Sequence, residues 1–318
     1  MPTTKLVLRA AELYLRGRRA DPIPDYDQAS TGYDDYFSDV MGPHGIGALD
    51  ELPIRPGDRV VELACGTGYV TEAVARRLGG AGAIRAVDMS GGMLAVARDR
   101  LDKFRDLDIS LEQDDMLAFI KRQEDASADV VVCAWAVCYS HPARILRQVA
   151  RILRPDGHVV IIETKADALD TLRHALEAVL AKDPSMMTRV VHVSLPSGPQ
   201  VLRRWFDRAG LRPRVLREGA QALPWDTAEQ MVEWVERSGA AAGFRNAVKP
   251  SRQDEARGLL HTELSNRLTA DPALRLRHTF VVGVAQLPSG QPRGLSGTRR
   301  PGRPAAEENL RDERADRR

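Results

Sequence analysis

The run Val60-Val61-Glu62-Leu63-Ala64-Cys65-Gly66-Thr67-Gly68 decides the fold of this chain. An apolar stretch ends on an acidic residue and continues through small residues into two glycines. From Tyr69 onward, apolar residues recur at spacings of three and four until Gly79-Gly80, a pattern typical of a helix that stops at glycine. The pattern therefore predicts a strand, a tight glycine turn and a helix.

A second predicted strand follows this helix at Ala83-Ile84-Arg85-Ala86-Val87 and ends on Asp88. A strand, a helix and a second strand of this kind form half of a doubly wound α/β fold. Such folds bind their ligand at the carboxyl ends of the strands. We therefore expect Glu62, the glycine turn and Asp88 to meet at one ligand site.

The residues of the turn favour one class of ligand over another. A dinucleotide site has the pattern G-x-G-x-x-G and places a pyrophosphate on the helix N-terminus. Here Thr71 stands where the third small residue would be, and the carboxylate of Glu62 would repel a phosphate. A ligand with an ammonium group, a sulfonium and an adenosine fits better, with Glu62 near its cationic end and Asp88 accepting from the ribose hydroxyls.

These residues resemble the first two motifs of the class I S-adenosylmethionine (SAM) dependent methyltransferases, in Glu62–Gly68 and Asp88-Met89-Ser90. The resemblance is to the small-molecule type found in ubiquinone, menaquinone and natural-product biosynthesis. It implies a doubly wound, seven-stranded, mostly parallel Rossmann-like α/β sheet, with the last strand antiparallel between strands five and six. It implies SAM as the cofactor and these cofactor-binding residues: Glu62, Ala64, Gly66, Gly68, Asp88, Met89, Met93, Asp115, Met116 and Ala134.

Three further strands are read from the apolar runs at residues 108–112, 129–134 and 158–163. By the resemblance, Asp115 and Met116 flank the adenine ring after strand three, although Asp114 could exchange roles with Asp115. Ala134, where strand four ends, borders the methionine part of the cofactor.

The resemblance and the composition together divide the chain into three parts. Residues 1–41 are a helical, aromatic lid segment, and residues 42–287 are the methyltransferase domain, with a helical insertion at about residues 225–269. Residues 288–318 are rich in Pro, Gly and Arg with almost no apolar content, and we expect them to be disordered.

Composition excludes several other classes of function. The net charge is +2, and residues 288–318 alone carry +3, so the rest of the chain is close to −1 and has no basic face of the kind that binds nucleic acid. The three cysteines have no metal-type spacing, and no apolar run approaches the length of a membrane span. We expect a cytoplasmic monomer or homodimer with a small-molecule substrate, no nucleic acid partner, no membrane span and no metal.

Substrate contacts and catalytic residues are less sharply indicated. Tyr26, Tyr33 and Tyr36 lie in a segment that resembles the lid of the small-molecule methyltransferases, although such aromatic residues could equally fix an N-terminal helix to the body. Trp135 and Trp225 are further candidates for the substrate wall, the latter because we expect the insertion to roof the pocket. The candidate bases are His141 and Tyr139 after strand four and His192 after strand five, and Glu163 and Lys165 lie near the pocket by topology.

The expected activity is transfer of a methyl group to an O, N or C nucleophile of a small, partly apolar molecule, in secondary metabolism or quinone-like biosynthesis. Such a transfer is an in-line displacement that mainly needs alignment and exclusion of water, so the absence of an obvious catalytic dyad does not argue against it. Two alternatives remain. One is a SAM-binding relative that does not methylate, such as a cyclase or a partner protein, and the other is a nicotinamide-dependent oxidoreductase.

Overall fold

Seven strands of the described residues form one sheet, in the order β3-β2-β1-β4-β5-β7-β6. The computed structural model describes residues 3–239 and 244–289, so the predicted disordered tail lies outside it from residue 290 onward. The strands are β1 (Arg59–Leu63), β2 (Ala83–Asp88), β3 (Asp108–Gln113), β4 (Ala128–Ala134), β5 (Leu153–Thr164), β6 (Arg212–Ala222) and β7 (Arg277–Gln286).

The strand register brings the predicted motifs to one edge of the sheet. β1 is parallel to both β2 and β4, and Leu63 is level with Val87 on one side and Cys133 on the other. The residues that follow these three positions, Ala64, Asp88 and Ala134, therefore meet at the carboxyl ends of the strands. β7 is antiparallel and lies between β5 and β6, which confirms the predicted topology.

Helices cover both faces of the sheet. In chain order they are α1 (Thr4–Leu15), α2 (Ile23–Ala29), α3 (Asp39–Leu49), α4 (Tyr69–Leu78), α5 (Gly91–Leu101), α6 (Met116–Arg122), α7 (Pro142–Ile152), α8 (Asp170–Lys182), α9 (Pro199–Arg208), α10 (Ala228–Arg237), α11 (Phe244–Ala247) and α12 (Gln253–Ala270). A π-helical turn at Asp34–Ser38 leads into α3, and a 3₁₀ turn at Val137–Tyr139 follows β4.

The central strands are continuously apolar because helices bury them on both faces of the sheet. Along β4, Val130 and Val132 join the core on one face, which α3, α4, α8 and α10 cover. Val131 and Cys133 join the core on the other face, beneath α6, α7 and α9. A smaller third cluster holds α1 against α8 and residues 186–190.

One strand boundary differs from the predicted one. β5 begins at Leu153 rather than at His158, because a register irregularity opposite Ala128 and Val130 absorbs the Arg154–Gly157 turn within the strand. α3 begins at Asp39, where the preceding π-helical turn runs directly into it. Within the described residues, no helix has both the length and the apolar character to cross a bilayer.

Candidate active site

The glycine turn after β1 has backbone angles that shape the site. Ala64, Gly66 and Gly68 all have positive φ, at 57°, 56° and 76°. A Cβ on Gly66 would meet no atom within 4 Å, whereas one on Gly68 would lie 3.2 Å from the Cβ of Ala97 in α5. Gly66 therefore leaves its surroundings open to a ligand, and Gly68 allows α4 and α5 to approach each other.

Glu62 is a buried carboxyl group that lacks a full set of partners. It is 1% exposed, and its Oε2 has no hydrogen-bond partner among the described residues. Burial, aided by the negative charge of Asp88, raises the pKa of Glu62 to about 8. An unpartnered carboxyl oxygen at a cavity wall is suited to a cationic ligand, which would stabilise the ionised form.

Asp88 ends β2 and is fixed by the backbone around it. Its Oδ2 accepts from the backbone N–H of Gly66 at 2.8 Å, and its Oδ1 accepts from that of Ser90 at 2.9 Å. Burial raises its pKa, although these N–H donors favour the charged form. Each carboxylate oxygen keeps a further lone pair, so Asp88 can also accept from ligand hydroxyl groups.

These residues line a cavity of about 350 Å³, which we call the cofactor cavity. Four acidic side chains line it, and the described residues of its wall include no Lys, Arg or His. A pyrophosphate would meet acidic groups and no cationic side chain in this wall, which argues against a nicotinamide dinucleotide. All ten residues predicted to bind the cofactor except Gly68 lie in this wall, which also includes Thr67 and Tyr69.

Of Asp114 and Asp115, the two candidates for a cofactor contact after β3, the structure favours Asp115. Asp115 lines the cofactor cavity, where its Oδ1 accepts from the backbone N–H groups of Leu117 and Ala118 at 2.9 Å and caps α6. Asp114 instead pairs with Arg122 at 2.6 Å and is not part of the cavity wall. Asp115 therefore keeps its second carboxylate oxygen available at the cavity.

Residues 21–38 of the lid segment are attached to the loops that follow β1 and β2. Thr67 donates from its hydroxyl to Oδ1 of Asp34 at 2.7 Å, and Arg100 pairs with the other oxygen of the same carboxylate. Asp27 accepts from the Ser90 hydroxyl at 2.5 Å and from the backbone N–H of Gly92 at 3.1 Å. The lid is thus held over the cofactor cavity by charge-assisted contacts.

A second cavity of about 610 Å³ lies beside the first, and we call it the substrate cavity. Its far wall comes from α1, α8 and the connection at residues 187–195, and is apolar except for the ion-paired Arg173 and Glu177 of α8. Its near wall carries polar groups at the strand ends, including Glu163, Thr164 and His278. The cavity therefore has an apolar body and a polar end.

The wall shared by the two cavities consists of five aromatic residues: Tyr26, Tyr33, Phe37, Trp135 and Tyr139. Trp135 has a positive φ of 62°, and its backbone N–H donates to the carbonyl of Ile162 at 2.7 Å. A non-glycine residue held in this strained region is typical of a functional site. The aromatic wall marks where ligands in the two cavities would meet.

Tyr36 and Trp225, two of the residues expected at the substrate wall, line neither cavity. Their rings contact each other at 6.0 Å, and the Tyr36 hydroxyl donates to Glu233 at 2.7 Å. Trp234 donates from Nε1 to the carbonyl of Tyr36 at 2.8 Å. The insertion therefore supports the lid through these contacts and also lines the substrate cavity with Ser238, Gly239 and Ala247, while α1 and α8 supply most of the roof.

The structure brings one of the three predicted catalytic candidates to the cavities. Tyr139 lies in the wall shared by the two, whereas His141 is exposed at the start of α7 and His192 contacts the ring of Tyr14 at 5.7 Å. Neither histidine lines a cavity, because the loops after β4 and β5 turn their rings outward. Lys165 is also absent from both walls and pairs with Glu218 at 2.7 Å.

Of two buried polar groups in the wall of the substrate cavity, the sequence indicated the position of one and not of the other. Glu163 accepts from the backbone N–H groups of Cys138 at 2.9 Å and Thr164 at 2.8 Å, and burial raises its pKa to about 7. Its acidic character at the end of an apolar strand is the signal that placed it near the pocket. His278, whose pKa burial lowers to about 4, gave no such signal because β7 enters the sheet from the opposite direction.

Within the described residues, no cluster of three or more His, Cys, Asp or Glu side chains is arranged to hold a metal ion. The absence of a metal therefore stays a prediction.

The sequence matches known proteins over the part that carries the site. Residues 60–157 match a methyltransferase domain family. A demethylmenaquinone methyltransferase of Mycobacterium sp. (strain KMS) is 31% identical over 205 residues, covering 63% of this chain and 80% of that relative. A ubiquinone/menaquinone biosynthesis C-methyltransferase, UbiE, of Hydrogenovibrio crunogenus is 29% identical over 147 residues, covering 43% of this chain and only 56% of the relative.

Solved structures share the fold at lower identity. A protein assigned as a methyltransferase from Bacillus halodurans has a TM-score of 0.52 at 17% identity, covering 78% of this chain and 100% of its own. The YcgJ protein of Bacillus subtilis has a TM-score of 0.50 at 16% identity, with the same coverage. These structures share the fold, and the Mycobacterium relative, 31% identical over 80% of its length, together with the methyltransferase domain match shows that the chain belongs to the class I SAM-dependent methyltransferase family.

Proposed function

We propose that this chain transfers a methyl group from SAM to a small, partly apolar organic molecule bound in the substrate cavity. The observation that carries the proposal is the pair of cavities with a shared aromatic wall. One cavity has the carboxylates and glycine turn that suit SAM, and the other is larger and mostly apolar. A methyl donor and an acceptor bound in this way would meet at the shared wall.

The residues of the cofactor cavity fit SAM at both of its ends. Glu62, with its unpartnered Oε2, would face the cationic amino-acid end, and Asp88 and Asp115 would accept from the adenosine part. Met93 and Met116 supply apolar surface in the same wall. When bound, SAM supplies a methyl carbon already activated by the sulfonium.

The chain itself mainly has to align the acceptor and keep water out. The lid closes the cofactor cavity through its contacts with Thr67, Arg100 and Ser90. The aromatic wall holds the acceptor at the junction, and its rings can also stabilise nearby positive charge. A base is needed only if the acceptor must lose a proton of high pKa.

The apolar cavity and the names of the relatives support a proposal for the acceptor class. The matched relatives are named for ubiquinone, menaquinone and demethylmenaquinone methylation, which supports a quinone-like or secondary-metabolite acceptor. Methylation at O, N or C is compatible with the cavity. We also propose residues 1–41 as the lid segment and residues 42–287 as the catalytic domain. Cytoplasmic location and a monomeric or homodimeric state stay predictions.

Calorimetric titration with SAM, S-adenosylhomocysteine and NADH tests the cofactor. We expect SAM and S-adenosylhomocysteine to bind, and binding to be lost in Glu62→Ala and Asp88→Ala. Asp114→Ala is the matched control, because this carboxylate pairs with Arg122 outside the cavity wall. Binding of NADH instead of SAM would refute the proposal.

A second assay separates a methyltransferase from a SAM-binding relative that does not methylate. The protein is incubated with labelled SAM and a panel of apolar phenols, amines and ketones, and release of S-adenosylhomocysteine is measured together with label in the product. We expect release to depend on one class of acceptor. SAM binding without release from any acceptor class would favour the cyclase or partner-protein alternative.

A further inference from the structure

Two tyrosine hydroxyls meet where the cofactor cavity and the substrate cavity join. Oη of Tyr26, on the lid, lies 2.8 Å from Oη of Tyr139, in the 3₁₀ turn after β4. Their rings meet edge to face at 6.0 Å. Tyr139 is 37% exposed and lines both cavities, so its exposed surface faces them.

The hydrogen bonds of this pair leave one donor unused. Two hydroxyls carry two protons, and one of these is used in the bond between them. Among the described residues, no other hydrogen bond is made by either hydroxyl. The pair therefore presents one free O–H at the junction.

This free group acts as a donor and not as a base. Burial is the main cause that raises the pKa of Tyr26 and of Tyr139 well above the ordinary tyrosine value. Both groups therefore stay protonated at neutral pH, and a group that complements them must offer an acceptor atom.

The lid ring has a fixed position at the junction. A Cβ on Gly239, which has a φ of 65°, would lie 2.4 Å from the ring of Tyr26, so glycine at this position allows the ring to sit there. Tyr33 contacts the same ring at 6.1 Å from within the shared wall. The Tyr26–Tyr139 pair is therefore built into the wall from both sides.

We propose that the Tyr26–Tyr139 hydroxyl pair donates a hydrogen bond to an acceptor oxygen of the substrate, next to the atom that receives the methyl group. This inference rests on the proposed function and specifies the substrate further. The substrate carries a carbonyl, phenol or enol oxygen at its reactive end and an apolar body in the far part of the cavity. It carries no strong negative charge, because Arg173, the one arginine in the described wall, already pairs with Asp170 at 2.7 Å and Glu177 at 2.8 Å.

Binding of two matched probes tests the pair without knowledge of the natural substrate. The probes are 2-acetylnaphthalene, which has an acceptor oxygen, and 2-ethylnaphthalene, which has a similar shape without one. Their dissociation constants are measured by equilibrium dialysis in the presence of S-adenosylhomocysteine, for the wild type and for Tyr26→Phe/Tyr139→Phe. We expect the ratio of ketone to hydrocarbon dissociation constants to rise about 3- to 10-fold in the double variant, as for loss of one neutral hydrogen bond.

Tyr36→Phe is the matched control, because its hydroxyl bonds Glu233 outside both cavities, and its ratio should equal that of the wild type. An unchanged ratio in the double variant, or failure of both probes to bind the wild type, overturns the inference. If the double variant does not fold, the infrared C=O stretch of the ketone bound to the wild type decides: a shift to lower wavenumber relative to the ketone in hexane is expected for a carbonyl that accepts a hydrogen bond, and no shift overturns the inference. SAM titration of the same preparations keeps the two proposals separate. If the wild type does not bind SAM, the proposed function is refuted. If SAM binds and the ratio of dissociation constants is unchanged in the double variant, only the role of the tyrosine pair is refuted.

Discussion

Replacing Glu62 with glutamine is expected to stabilise the cofactor-free protein at neutral pH and to weaken its binding of SAM. Glu62 is 1% exposed, and burial raises its pKa from the ordinary 4.5 to about 8. Below pH 4.5 the carboxyl is neutral in both the folded and the unfolded chain, so burial carries no ionisation penalty. As the pH rises towards 8, the unfolded chain releases this proton and the folded chain retains it, so the stability contributed by the neutral carboxyl is lost.

The size of the effect follows from the pKa shift. Each unit of difference corresponds to about 1.4 kcal/mol, so the folded wild type is less stable at pH 7 than at pH 4 by about 3 kcal/mol from this group alone. Glutamine has a similar shape and does not titrate. Glu62→Gln should therefore raise the free energy of unfolding by about 3 kcal/mol at pH 7, or the melting temperature by about 5 °C, and by almost nothing at pH 4.

Urea unfolding at pH 4 and pH 7 measures this difference, and calorimetry at pH 7 measures SAM affinity on the same samples. Glu72→Gln is a control for which the expected change in the free energy of unfolding at pH 7 has the opposite sign. Burial raises the pKa of Glu72, but Lys103 and Arg76 outweigh it and lower the net value, so this variant should be less stable than the wild type at pH 7. If Glu62→Gln shows the same stability change at both pH values, or retains full SAM affinity, the role assigned to Glu62 is wrong.

Three further outcomes are expected. SAM binding at pH 7 should release about one proton from Glu62, detected by calorimetry in buffers of different ionisation enthalpy, and Glu62→Gln should release none. Gly66→Ala should lower SAM affinity and also the melting temperature, because alanine is strained at its positive φ. Gly68→Ala should lower the melting temperature more, because it adds to the same backbone strain a Cβ that would crowd α5; equal melting temperatures would contradict this assignment. Asp34→Asn should speed dissociation of S-adenosylhomocysteine in stopped-flow measurements by loosening the contact of the lid with Arg100, and an unchanged rate would show that this contact does not hold the lid closed.

Local sequence determined the sheet and the cofactor cavity. The Glu62–Gly68 run and Asp88 specify a strand, a turn with positive φ and an acidic strand end, which depend on neighbours within a few residues. Because parallel strands bring their carboxyl ends together, these short signals were enough to predict that Glu62, Gly66 and Asp88 share one cavity. The prediction that β7 is antiparallel and lies between β5 and β6 came from the resemblance to a family, because no periodicity in the chain indicates its place in the sheet.

Only the tertiary structure decided which distant segments form the substrate cavity. α1, α8 and residues 187–195 supply its apolar wall, and their sequences read as ordinary amphipathic or loop segments. The hydroxyl contact between Tyr26 and Tyr139 spans 113 positions, and no local pattern encodes it. His192 and Trp225 were candidates because of their residue type and their loops, but the direction of a side chain depends on long-range packing, and here it turns both away from the cavities.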